Sequence, residues 1–166
     1  MRQFAEVLHS IDINAPIEAV RSQFADLDHH IGSNVHPKLS FEILQRRANG
    51  ARFVQVVRLL GIRQRDVFER TINADGSIHD LSVDGFNKDG SLDFRFEPVQ
   101  TYASAGTSSA TPPGTRVSIA IRLPVPPLLG WLKPLLVSQI RREVSAAALE
   151  DKFDLEIRGY PAATHA

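Results

Sequence analysis

Four polar side chains stand where the surrounding pattern is apolar: His9, Gln55, His79 and Asp151. Burying such a group without a partner costs about 1–3 kcal/mol, so each needs either a hydrogen bond in the core or a ligand that uses it. His9, His79 and Asp151 are the candidate catalytic residues. Burial can bring an imidazole or a carboxyl group to a working pKa for general acid–base chemistry, such as an aldol-type cyclisation or a dehydration. The simpler role for each is a bonded core or rim residue, or for Asp151 an ion pair with a nearby lysine or arginine.

His29, His30 and His36 are the other reactive group in sequence. Adjacent histidines point in different directions and no carboxylate lies at dependable ligand spacing, so neither a metal nor a cofactor is expected. The chain has no cysteine, which removes disulfides, thiolate metal sites and cysteine nucleophiles. It also has no GxSxG, Walker loop, HExxH or dinucleotide fingerprint, so those hydrolase and nucleotide classes lack their mechanical parts.

Nineteen basic residues balance nineteen acidic ones among 166. No domain-wide positive field exists to hold a nucleic-acid backbone, and nucleic acid is not an expected partner. The length fits one domain spanning 1–166. The N-terminal segment is too polar for a signal-peptide core, and prolines with Lys133 interrupt the most apolar window, Leu123 to Ile140. A cytoplasmic location is therefore expected.

The element that must position these residues is Pro134 to Gly159. It has proline for the first helical turn, no proline or glycine inside, and glycine at the end, which predicts one helix roughly 37 Å long. Leu136, Ile140, Val144 and Ala148 form a stripe that continues to Asp151, while Leu149, Phe153 and Ile157 form a second row, so the helix is expected to contact two things. Ser145 to Ala148 are small where a core would ask for leucine. They either allow close approach to a sheet or leave room for a ligand.

Upstream, Phe4 to Ile13 alternates as a half-buried strand with His9 on its apolar side, and Ile17, Val20, Phe24 and Leu27 follow at helical spacing. A loop or second short helix ends near Val35. From Lys38 the period is two: a hairpin turning at Asn49-Gly50, a strand from Gln64 to Ala74, another from Ile78 to Asp84, then Leu92, Phe94 and Phe96, and a last strand through Val117, Ile119, Ile121 and Leu123. Thr101 to Gly114 reads as a flexible hairpin loop. These elements predict an α+β fold, a curved antiparallel sheet of about seven strands wrapped around a long C-terminal helix.

The opening strand into IDINAPIEAVRSQFADLD, the meander and the long C-terminal helix resemble the START-like, Bet v 1-like superfamily of helix-grip proteins, including the polyketide cyclase/dehydrase and lipid-transport group. The resemblance covers nearly the whole chain and carries no reactive motif. It implies a cavity between sheet and helix for a hydrophobic small molecule such as a lipid, quinone, sterol or polyketide. Candidate ligand-binding residues are Phe53, Gln55, Val57, Phe94, Phe96, Ile119, Trp131, Ile140, Val144, Ala147 and Asp151. Three functions follow as expectations: a non-catalytic carrier or sensor, which is favoured; a cyclase or dehydratase; and a peripheral membrane or protein-partner module. The last rests on Leu128, Leu129 and Trp131 beside Lys133, Arg141 and Arg142, since apolar anchors near basic groups suit an anionic lipid surface.

Overall fold

The alternation from Lys38 onward folds as an antiparallel meander closed by the first strand. The computed structural model describes residues 3–100 and 113–161. In chain order these are β1 (Gln3–Ile13), α1 (Ile17–Ala25), α2 (Leu27–Gly32), β2 (Ser40–Arg47), β3 (Gly50–Leu59), β4 (Ile62–Ile72), β5 (Ile78–Gly85), β6 (Ser91–Val99), β7 (Gly114–Val125), a 3-10 turn (Pro127–Leu132), α3 (Lys133–Phe153) and a π-helical turn (Asp154–Arg158). The seven-stranded sheet has the order β1-β7-β6-β5-β4-β3-β2. Every pairing is antiparallel, and β1 lies along β7 from Gln3 opposite Val125 to Ile13 opposite Thr115. The chain leaves one edge of the sheet, passes through α1 and α2, and begins its meander at the other edge.

The sheet is curved, and α3 lies across its concave face. Ile140, Val144, Ala148 and Asp151 are the buried residues of α3, which is the predicted stripe with its polar extension. Ile140, Val144 and Ala148 join Val7, Val20, Phe24, Val117 and Ile119 in the main core. Phe53 and Phe68 stack at 5.7 Å in a second, smaller cluster with Ala51 and Leu27. No helix among the described residues is long and apolar enough to cross a membrane.

Three details differ from the sequence reading. The long helix keeps α geometry only to Phe153, then widens into the π-helical turn before Gly159, whose φ of 75° and ψ of 62° are the left-handed values expected at a helix end. The second apolar row does not pack: Leu149, Phe153 and Ile157 are 56%, 50% and 67% exposed. The first hairpin turns at Ala48 and Asn49, because Arg47 already pairs with Gly50. Gly50 is instead needed for close packing, since a Cβ there would overlap the Arg70 carbonyl oxygen of β4. The expected loop from Thr101 lies, through residue 112, outside the described residues.

The two rows of α3 make the fold testable. Ile140→Ala is expected to cost about 2–5 kcal/mol of unfolding free energy in urea denaturation. Leu149→Ala should change it by no more than about 0.5 kcal/mol. Equal losses would mean that the exposed row is also buried.

Candidate functional site

Between α3 and the sheet lies a cavity of about 160 Å³. Its apolar wall includes Phe24, Val57, Phe68, Phe94, Ile119 and Ile121, and α3 contributes Ile140, Val144 and the small run Ala146 to Ala148. Ala146 to Ala148 therefore lie where the cavity is, in keeping with the second of the two explanations offered by the sequence, that small residues leave room.

The polar groups in this wall are held in sets. Arg70 of β4 and Asp80 of β5 form a bidentate ion pair at 2.8 and 2.7 Å, and Arg70 Nη1 also donates to the Phe24 carbonyl at 3.0 Å. Asp66 accepts from the Asn87 backbone at 2.6 Å and from its side-chain amide at 2.7 Å. Gln55 makes no side-chain hydrogen bond within the described residues, which leaves its amide for a bound molecule.

The remaining set joins α2 and the loop after it to α3. Asp26 caps α2 by accepting from the His29 backbone N–H at 2.9 Å, which starts the helix at the point that aims its two histidines. Their rings diverge, 84° between planes and 6.1 Å between centroids. They can both be satisfied because Asp151 and Asp154 lie three residues apart on the facing helix. His29 Nε2 meets Asp154 Oδ2 at 2.7 Å, and His30 Nε2 meets Asp151 Oδ1 at 3.1 Å. His36 reaches the same Asp151 Oδ1 through Nε2 at 3.3 Å, and its Nδ1 faces Glu150 Oε2 at 2.8 Å. Gln23 of α1 completes the set, its Nε2 donating to Asp151 at 3.0 Å and Asp154 at 3.1 Å.

This arrangement controls charge. Burial alone would raise the Asp151 carboxyl, but hydrogen bonds from His30 and His36 outweigh it and hold that group far below the usual carboxylate range. Burial likewise disfavours a charged His36, yet Asp151 and then Glu150 raise the ring from 6.5 to about 8. His36 is therefore a buried imidazolium near neutral pH, with both ring nitrogens on carboxylates. Such a pair can hold a ligand oxygen or move a proton at the cavity wall.

The residues expected from sequence are distributed as follows. Gln55, Val57, Phe94, Ile119, Ile140, Val144, Ala147 and Asp151 line the cavity. Phe53 and Phe96 are buried behind it, Phe53 under the Arg70 guanidinium at 5.3 Å and Phe96 edge-on to Phe24 at 5.4 Å. Trp131 does not line it, being 76% exposed in the 3-10 turn. His9 is half-buried on β1 and away from the cavity. His79 is on the outer face of β5, where Nδ1 pairs with Asp93 of β6 at 2.6 Å, because it is out of phase with the buried Ile78 and Asp80. The sequence reading weighed His30 and His36 only as metal ligands and set them aside, and it passed over Glu150, Arg70 and Asp80. The missed signal was the carboxylate row at 150, 151 and 154, which lets divergent histidines find separate partners.

The meander, the two short helices and the helix across the concave face define the helix-grip fold of START-like and Bet v 1-like proteins. No family model matches the sequence, and no curated protein matches it. Solved structures do. The chain is similar to TTHA0849 from Thermus thermophilus, with a TM-score of 0.72 and 20% identity over 89% of this chain and 94% of that one. It is similar to the Zhui aromatase/cyclase from Streptomyces sp. R1128, with a TM-score of 0.66 and 15% identity over 95% and 99% of the two chains. A START superfamily protein from Mycobacterium smegmatis follows with a TM-score of 0.61 and 15% identity over 86% and 93%. At these identities the likeness is one of fold.

The raised His36 pKa has a stability consequence. A group whose folded value exceeds its unfolded value contributes fully below the unfolded value, near 6.5, and loses that contribution as pH rises through about 8. His36 faces Glu150 and Asp151 of α3, the His30 ring of α2 and Phe41 of β2, so the two carboxylates are the charges that set this window. Unfolding free energy in EDTA-containing buffer is expected to fall by roughly 2 kcal/mol between about pH 5.5 and about pH 9, most of it above 6.5. His36→Gln should flatten that slope, and an unchanged slope would refute the assignment.

Proposed function

We propose that this protein binds a small, mostly apolar organic molecule bearing a polar group, in the cavity between α3 and the sheet. The observation that carries this reading is a cavity with a mostly apolar lining into which polar groups are set, among them the free amide of Gln55 and the His30–Asp151–His36 set. Its size narrows the ligand. A cavity of about 160 Å³ is close to one that holds a benzene-sized ring, and is below the roughly 300–1,000 Å³ of sites for drug-sized molecules. A single ring or short chain with a carbonyl, hydroxyl or carboxylate fits better. The likeness to an aromatase/cyclase and to a START superfamily protein supports a small-molecule role for the cavity.

If the bound molecule is chemically altered, the acid–base work falls to His30, His36 and Asp151, because His9 and His79 do not reach the cavity. Mass spectrometry of a co-purifying molecule before and after incubation separates a carrier from a cyclase or dehydratase. Ala147→Trp is expected to fill the cavity and abolish the fluorescence gain of an environment-sensitive apolar dye, with the circular dichroism spectrum retained. Undiminished dye binding by the folded variant would overturn the site.

The 3-10 turn supports a second reading, transient contact with an anionic membrane surface. Leu128 and Trp131 are 89% and 76% exposed there, Leu135 follows at 54%, and Arg141 and Arg142 are exposed on α3. These apolar side chains are neither core nor cavity wall, and a lipid interface would bury them beside positive charge. Co-sedimentation with phosphatidylserine vesicles should fall for Trp131→Ala. It should also weaken with salt, since each basic residue contributes only about 1 kcal/mol and is screened within a Debye length. Binding indifferent to both changes would exclude this surface.

A further inference from the structure

We propose that His30, His36 and Asp151 form a binding site for one divalent transition-metal ion of the zinc class, with its open coordination positions facing the cavity. One donor atom from each residue lies within 4.8 Å of the others. The Asp151 Oδ1 atom is 3.1 Å from His30 Nε2 and 3.3 Å from His36 Nε2. A tetrahedral ion with bonds of about 2.0–2.1 Å keeps its donors about 3.4 Å apart. Two edges of the site already have that length. Only the separation of the two imidazoles has to shorten.

The outer partners support the same reading. A metal-binding histidine presents one ring nitrogen while the other is fixed by a carbonyl or carboxylate. His30 Nδ1 is held by the Asp26 carbonyl at 2.7 Å, and His36 Nδ1 by Glu150 at 2.8 Å. Both Nε2 atoms are thereby turned to one carboxylate oxygen. Asp151 is buried with no lysine or arginine on it; its partners among the described residues are two imidazoles and the Gln23 amide. The Oε1 atom of Gln23 is also buried without a hydrogen-bond partner, an acceptor left beside this cluster.

The donor set selects the ion. Two imidazoles and a carboxylate suit zinc, cobalt or ferrous iron better than calcium or magnesium, which prefer oxygen alone. All three donors line the cavity, so the sites they leave open are accessible to a ligand oxygen. The ion would be a Lewis acid for a carbonyl or carboxylate held there. This inference does not depend on an apolar ligand being bound.

The test uses the untagged full-length chain, stripped with EDTA and dialysed against zinc chloride, with metal per chain measured by elemental analysis. Wild type should hold one zinc ion, and cobalt(II) in its place should give visible d–d absorption that zinc removes. His30→Gln, His36→Gln and Asp151→Asn should each weaken binding by more than about 100-fold, and Glu150→Gln by about 10–100-fold. His79→Ala, whose ring is on the outer face, should bind as wild type does. Variants are compared only where circular dichroism shows them folded; if none is, the wild-type stoichiometry and cobalt spectrum decide. No stoichiometric zinc in wild type, or zinc retained by the folded histidine variants, would overturn the site. Dye fluorescence in the same samples keeps this result separate from the cavity proposal, since lost metal with dye bound refutes only the metal.

Discussion

The Asp151 carboxylate is a charge taken out of water, and much of the molecule is arranged around keeping it there. Leaving such a group unpaired costs several kcal/mol, so the fold is acceptable only while partners reach it. Gln23 comes from α1, His30 from α2 and His36 from the loop after it. One residue of α3 thus fixes three successive segments of the crossover from β1 to β2. For α1 these bonds add to the burial of Val20 and Phe24 in the core, whereas α2 has only six residues and buries only Leu27 and His30.

The same interaction lies in the cavity wall. The crossover is bonded to the C-terminal half of α3, and Ala146 to Ala148 of the same half line the cavity without filling it. Aromatic packing keeps the wall open from the other side. Phe24 meets Phe94 at 5.8 Å and Phe96 at 5.4 Å, and the Arg70–Asp80 pair ties the same helix end to β4 and β5 through the Phe24 carbonyl. Packing and electrostatics act together here. Apolar side chains make most of the cavity's lining, and the paired charges tie together the elements that carry it.

A cavity that contains a paired carboxylate and two imidazoles differs from a purely greasy pocket. It offers an apolar surface for most of a molecule and a fixed polar contact for one group, which gives orientation as well as affinity. The outer surface carries its own asymmetry, with leucine and tryptophan exposed on the turn that enters α3. The entrance to the helix and the cluster at its far half are separate features. Their functions can be separated as well.

The strands, the antiparallel meander and the buried stripe of α3 were legible in the sequence because periods of two and 3.6 report directly which face is apolar and turn residues separate neighbours, whereas the pairing of β1 with β7 came only from the fold. The stripe even placed Asp151 on the buried side. Periodicity could not say what Asp151 would meet, because His30 lies 121 residues away and only the tertiary fold brings the two together. It also misplaced His79, where a single-residue change of phase moves a side chain through the sheet, and it gave Leu149, Phe153 and Ile157 a partner that the described chain does not supply. The sequence by itself determined the elements and their apolar faces, since those depend on neighbours along the chain. The tertiary structure alone decided the chemistry of the cavity, since charges become a site only when their distances are fixed.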